Sequence, residues 1–173
     1  MIKICLNFFF DELSIPKPDY NLGINGGPWS TFDQTFDKAD LTALVASPQA
    51  ILPAPGANKL YHFNKVIYLY DFDGDVYNSG AATNVQLEFD APNTSQIASI
   101  QQAKMTGGSD FFDLRSRTNL SMNVRTEDFF NAGVILTTSN GLELTANSGA
   151  TNGTLRVIIE YKIEDYSAYW PIP

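Results

Sequence analysis

From residue 40 onward the chain alternates apolar and polar residues with a period of two. Residues 83–90 set Val85, Leu87 and Phe89 against Asn84, Gln86, Glu88 and Asp90. Residues 119–125 set Leu120, Met122 and Val124 against Ser121, Asn123 and Arg125. In residues 154–164, Leu155, Val157, Ile159, Tyr161 and Ile163 oppose Thr154, Arg156, Glu160, Lys162 and Glu164, and only Ile158 breaks the polar side. Such alternation predicts antiparallel strands with one face in a core and one in water. Shorter strands are predicted at 41–46, 49–53, 111–115, 133–138 and 142–146. Asn140-Gly141 predicts a tight hairpin between the last two, since both residues tolerate positive φ. Asn152-Gly153 predicts a turn before the final strand. Ile97 and Ile100 stand at helical spacing and predict a short helix within 95–105. About eight or nine strands suit an all-β fold, a jelly-roll-like antiparallel β-sandwich.

Two stretches depart from simple alternation. In the strand predicted at 59–72, Tyr61, Phe63, Ile67 and Leu69 lie on one side, while Val66, Tyr68, Tyr70 and Phe72 fill the other. A bulge near Asn64-Lys65 would switch the core face part-way. Alternatively, the second face, with Val66, Tyr68 and Tyr70, is covered by an arm or another subunit. Residues 1–39 show no sustained period. They hold Pro16, Pro18, Pro28 and Gly26-Gly27, which work against regular structure. They also hold Phe8, Phe9, Phe10, Tyr20, Trp29, Phe32 and Phe36, more aromatics than a disordered tail carries. The expected organisation is an extended N-terminal arm over 1–39 and a sandwich domain over 40–173. The arm aromatics should lie on their own domain or on a neighbouring subunit.

The chain's 173 residues make one domain's worth of protein, with 44% hydrophobic and 13% aromatic residues. The charged share, 17%, is below the usual quarter, and neutral polar residues replace it. With 11 Lys and Arg against 19 Asp and Glu, the net charge is −8, which repels phosphate backbones and argues against nucleic-acid binding. Cys5 is the single cysteine, so no internal disulfide can form. The apolar start is broken by Asn7 and followed directly by Asp11 and Glu12, so no signal peptide is expected. No stretch approaches the ~20 apolar residues of a membrane-spanning helix. Synthesis in a cytoplasm is the expectation.

Candidate chemistry is sparse. His62, the only histidine, is the one base that could activate a serine or cysteine, and no G-x-S-x-G elbow presents a serine. Nothing near Cys5 in sequence would lower its pKa. Glu88 with Asp90, or Glu143 with Glu160, could form a glycosidase carboxylate pair. Their alternating positions fit carboxylates that solvate a face. Trp29, Trp170, Tyr166 and Tyr169 could stack on sugar rings or could anchor the termini. Asp71, Asp73 and Asp75 around Gly74 are the best metal candidates, since Ca²⁺ takes several carboxylate oxygens. The glutamate that would complete a helix-loop-helix calcium loop falls on Ala82, and Asp and Gly are equally the residues of a plain turn. The favoured reading is a turn, with no cofactor.

Ala54-Pro55-Gly56-Ala57-Asn58-Lys59 leads into a long apolar strand, followed by the acidic turn, Tyr77-Asn78-Ser79-Gly80 and Val85-Gln86-Leu87-Glu88-Phe89. Asn140-Gly141 and the run from Gly153 to Lys162 come later. Over residues 40–165 this order resembles the small β-sandwich virion proteins encoded by tailed and related bacteriophages. The resemblance implies a non-enzymatic structural protein that decorates or cements a capsid, forms head fibres or sits on a tail. It implies virion localisation and other virion proteins as partners, and brings no catalytic residues. Self-association is expected, a trimer suiting decoration or fibre roles. The rival expectations are a carbohydrate- or receptor-binding module of a spike or tail fibre, and a small jelly-roll glycosidase.

Overall fold

The computed structural model describes residues 28–79, 84–91, 96–101, 105, 107–116, 129–139, 144–146 and 153–167. Ten strands and one helix lie within them: β1 (Ser30–Phe36), α1 (Lys38–Ala43), β2 (Gln49–Leu52), β3 (Lys59–Asp71), β4 (Tyr77–Ser79), β5 (Asn84–Asp90), β6 (Gln96–Gln101), β7 (Phe111–Ser116), β8 (Gly133–Thr138), β9 (Leu144–Ala146) and β10 (Thr154–Asp165). One sheet has the order β1-β10-β3-β7, the second β2-β8-β5-β6, and β4 pairs with β9 in a separate ribbon. Every pairing among them is antiparallel. The pairs β5–β6, β3–β7, β2–β8 and β1–β10 nest inside one another in sequence and alternate between the two sheets. That is one long hairpin rolled up into a sandwich, the jelly-roll arrangement.

The two sheets close on a core from both inner faces. Val66, Tyr68, Leu155, Val157 and Ile159 come from the first sheet; Val85, Leu87, Val134 and Leu136 come from the second, and all are fully buried. The buried Tyr68 hydroxyl donates to the Ala98 carbonyl across the sandwich, 3.2 Å away. Tyr61, whose hydroxyl donates to the Pro53 carbonyl at 2.5 Å, has its pKa pushed up to about 12 by burial.

Both faces of β3 are apolar because its core face changes part-way. Glu160 pairs with Lys65 and Tyr161 with Phe63, leaving Asn64 as an extra residue. Before it the buried residues include Tyr61 and Phe63; after it they are Val66, Tyr68 and Tyr70. A one-residue bulge shifts the period-two phase by one position. Val66, Tyr68 and Tyr70 are therefore core residues of their own domain and offer no surface to a neighbour, contrary to their expected interface role.

Several other expectations are corrected. Residues 30–36, assigned to the irregular arm, form edge strand β1 against β10, and Phe36 is fully buried in the core. Where a strand was expected at 41–46, residues 38–43 form a helix capped by Asp37. Its Oδ1 accepts from the Ala39 and Asp40 amides at 2.8 and 3.0 Å, and Asp40 Oδ2 accepts from the Asp37 amide. This closes a capping box, and Leu41 and Leu44 are driven into the core. Residues 96–101 form β6 rather than a helix. Leu87 pairs with Ala98 and Glu88 with Gln96, so Ile97 is bulged. The bulge leaves Ile97, Ala98 and Ile100 all buried, which mimics helical spacing. β8 and β9 form no hairpin together, since they belong to different sheets. The expected strand at 119–125 and the Asn140-Gly141 turn lie outside the described residues.

Candidate functional site

The outer face of the β1-β10-β3-β7 sheet carries clusters of paired polar groups and, on β7, the exposed apolar side chains of Phe112 and Leu114. At one end, His62 pairs with Lys162 and Leu60 with Glu164 across β3 and β10. His62 Nε2 lies 2.8 Å from Glu164 Oε2 and 2.7 Å from the Tyr166 hydroxyl. The Tyr166 hydroxyl itself donates to Glu164 Oε2 at 3.0 Å, and Lys162 Nζ is paired with Oε1. With that tyrosine proton committed, Nε2 must carry the hydrogen that faces both oxygens. Glu164 is only 4% exposed. Burial alone would raise its pKa. The Lys162 bond, the neighbouring His62 ring and the Tyr166 bond outweigh burial and hold it below the usual value. Lys162 Nζ also stands 5.4 Å above the Trp29 ring, a cation–π contact.

Along the same face, Glu160 accepts from Asn64 at 3.0 Å and pairs with Lys65 at 3.1 Å. Arg156 grips Asp33 of β1 with two bonds, Nε to Oδ1 at 2.7 Å and Nη2 to Oδ2 at 2.6 Å. Between these pairs the surface is apolar. Ile158 stands opposite Ile67, which stands opposite Leu114, one row across three strands. In the next row Arg156 faces Leu69, and Leu69 faces Phe112. Phe112 is 61% and Leu114 47% exposed. A groove of about 570 Å³ runs beside this row, with Thr35, Leu69, Asp110, Phe112 and Arg156 among its walls.

The opposite side of β7 explains why Phe112 and Leu114 point outward. Asp113 and Arg115 pair at 2.8 Å and share the inward side with Tyr68 and Val66. Charged side chains turned inward on an edge strand blunt its tendency to recruit another strand. The edge is guarded, while the outer face is not.

No family model matches the chain, and no curated protein does. Among solved structures, two that are similar come from viruses. One is the cyanophage Pam1 capsid asymmetric unit, at 16% identity over 79% of this chain and 85% of that one, with a TM-score of 0.41. The other is the structure of infectious bursal disease virus Gt strain, at 6% identity over 85% of this chain and 35% of that one, with a TM-score of 0.28.

Asp71, Asp73 and Asp75 do not gather into a metal cluster; no group of three or more His, Cys, Asp or Glu able to hold an ion occurs among the described residues. Asp71 ends β3 and is exposed, as is Asp73. The turn is fastened from outside the run by Asp110, whose Oδ1 accepts from the Phe72 amide at 2.8 Å. Among the described residues no helix is long and apolar enough to cross a membrane. Of the expected interface residues, Trp29 is exposed and Phe32 half-buried on β1. Phe8, Phe9, Phe10 and Tyr20 lie outside the described residues, as do Cys5, Trp170 and Tyr169. Tyr166 is no open sugar platform, since its ring stacks on His62 and its hydroxyl is engaged. Ile67, Leu69, Leu114 and Phe112 were not singled out as a site by the sequence. Their signal was Ile158, the one apolar residue on the polar side of β10; its partner on β1 is Asp33, but Ile67 on β3 and Leu114 beyond it on β7 prove apolar too.

Proposed function

We propose that this chain is a non-enzymatic structural component of a bacteriophage particle, attached to the capsid as a decoration or cement protein or as part of a head fibre, and self-associated there. The observation that carries the reading is the Ile158–Ile67–Leu114 row with Phe112. It is an apolar outer sheet face that a free monomer would leave in water, where such patches mark contact with other protein. The jelly roll is a fold of capsid and lectin domains, which agrees by analogy only. The polar groups support a structural role, because His62, Lys162, Glu164, Asp33, Arg156, Lys65 and Glu160 hold strands together.

Particles of the encoding virus, purified and analysed by quantitative mass spectrometry, should contain this chain in many copies. The purified protein should rebind particles stripped of it. Absence from intact particles, or turnover of ester, peptide, phosphoester or glycoside substrates that survives repurification, would overturn the reading.

A further inference from the structure

We infer that the outer face of the first sheet receives the N-terminal segment of a second copy of this chain, with the Phe8-Phe9-Phe10 run filling the space beside Phe112 and Leu114. The inference rests on the self-association in the proposed function and specifies how it is made.

The face calls for an apolar occupant. The outer side of an antiparallel sheet is normally polar. Here Ile158, Ile67 and Leu114 stand in one row, and Leu69 and Phe112 in the next. Two charge pairs beside them are internal, Arg156 with Asp33 and Lys65 with Glu160, while Asp71 and Asp110 line the adjoining groove. An apolar strip bordered by acidic residues disfavours an acidic partner and suits an apolar segment. The chain carries such a segment, three consecutive phenylalanines at positions 8–10.

Reach and direction select the second copy. The residues between Phe10 and Pro28 can span roughly 60 Å when extended, at ~3.3–3.6 Å each. β1 runs antiparallel to β10, with Ser30 opposite Tyr161 and Phe36 opposite Leu155. Before Ser30 the chain therefore heads toward the Asp165 end of β10, where Trp29 meets Lys162. The apolar strip lies the other way, around Ile158 and Arg156. To cover its own strip the segment must reverse; continued in the direction from which β1 enters, it leaves its own sheet at the Asp165 end. Reciprocal exchange of this kind closes naturally into a symmetric ring.

Cys5, the single cysteine, stands three residues before Phe8 and makes the test direct. Full-length Leu114→Cys is treated with a short bismaleimide, which joins two thiols as thioethers, and run on a denaturing gel. Wild type reports Cys5–Cys5 links, and Asp90→Cys on the other sheet reports random encounter. Docking raises the local concentration, so Leu114→Cys should give about tenfold or more interchain product than Asp90→Cys. Replacing Phe8, Phe9 and Phe10 by serine in the Leu114→Cys chain should return the yield to the Asp90→Cys level. A link within one chain, from Cys5 to the thiol introduced by Leu114→Cys, would overturn the inference. So would background yield from a protein that light scattering shows to be oligomeric, while leaving self-association standing. A monomer in light scattering would overturn both.

Discussion

His62 and Glu164 hold each other at 2.8 Å on the outer side of the first sheet, one on β3 and one on β10. The carboxylate is almost wholly buried, and it is satisfied by Lys162 and Tyr166 as well. This cluster locks the start of β3 to the end of β10. Next to it, Trp29 leads into β1, so one polar knot organises the point where the N-terminal segment joins the sandwich.

The knot should make the fold acid-sensitive. A carboxylate with a depressed folded pKa contributes stability that is fully present above its unfolded value, ~4.3, and is lost as pH falls through the folded value. Glu164 is depressed. Stability measured by urea denaturation should fall below about pH 4. Glu164→Gln should cost roughly 1–3 kcal/mol at pH 7, since its partners lose a charged acceptor, and should flatten the acid limb. An unchanged acid limb in the variant would remove Glu164 as its source.

Deleting Asn64 should abolish folding. Without the bulge, either Tyr61 and Phe63 or Val66, Tyr68 and Tyr70 turn toward water. Each fully buried large apolar side chain contributes ~1.5–3 kcal/mol, and the net stability of a domain is only ~5–15 kcal/mol. The deletion should yield insoluble protein, whereas Asn64→Ala, which keeps the residue count, should stay soluble and show a native circular dichroism spectrum. A soluble, cooperatively melting deletion would refute this role of the bulge.

Strand periodicity made most of β3, β5, β8 and β10 legible, because their buried faces alternate over many residues. The bulge at Asn64 was legible as well, as apolar residues on both sides of one strand. The second bulge was not, since Ile97 and Ile100 in a short strand imitate a helix. β1 was hidden because its inward side alternates polar Ser30 and Gln34 with Phe32 and Phe36, and its hold on β10 depends on pairing with residues more than a hundred positions away, including Asp33 with Arg156. The helix after it was announced only by Asp37 and Asp40, whose capping role needs no apolar period. The outer apolar strip is assembled from β10, β3 and β7, so Ile158 alone marked it before the pairing was known.

Gly153 tests how tightly β10 enters the sandwich. A Cβ there would collide with the Asp71 carbonyl oxygen and stand 2.8 Å from Tyr70 Cζ. The Gly153 carbonyl accepts from the buried Tyr77 hydroxyl at 2.8 Å. Gly153→Ala should destabilise by about 3 kcal/mol through overpacking against backbone. Tyr77→Phe should cost about 1 kcal/mol for the lost bond. Equal losses in chemical denaturation would mean that the backbone at Gly153 yields.

Substitutions on the outer strip should separate assembly from folding. Phe112 and Leu114 expose much of their surface in the single chain, so replacing both with serine removes little buried apolar area. Surface changes of this kind usually stay within about 0.5 kcal/mol. Tyr68→Ala offers the contrast: it empties the fully buried centre of the sandwich and should cost at least about 3 kcal/mol. The Phe112→Ser/Leu114→Ser chain should keep the wild-type denaturation midpoint but fail to self-associate in light scattering and fail to bind stripped particles. Retention of both properties would show that the strip has no part in assembly. A large fall in the midpoint would show that it is covered within the monomer.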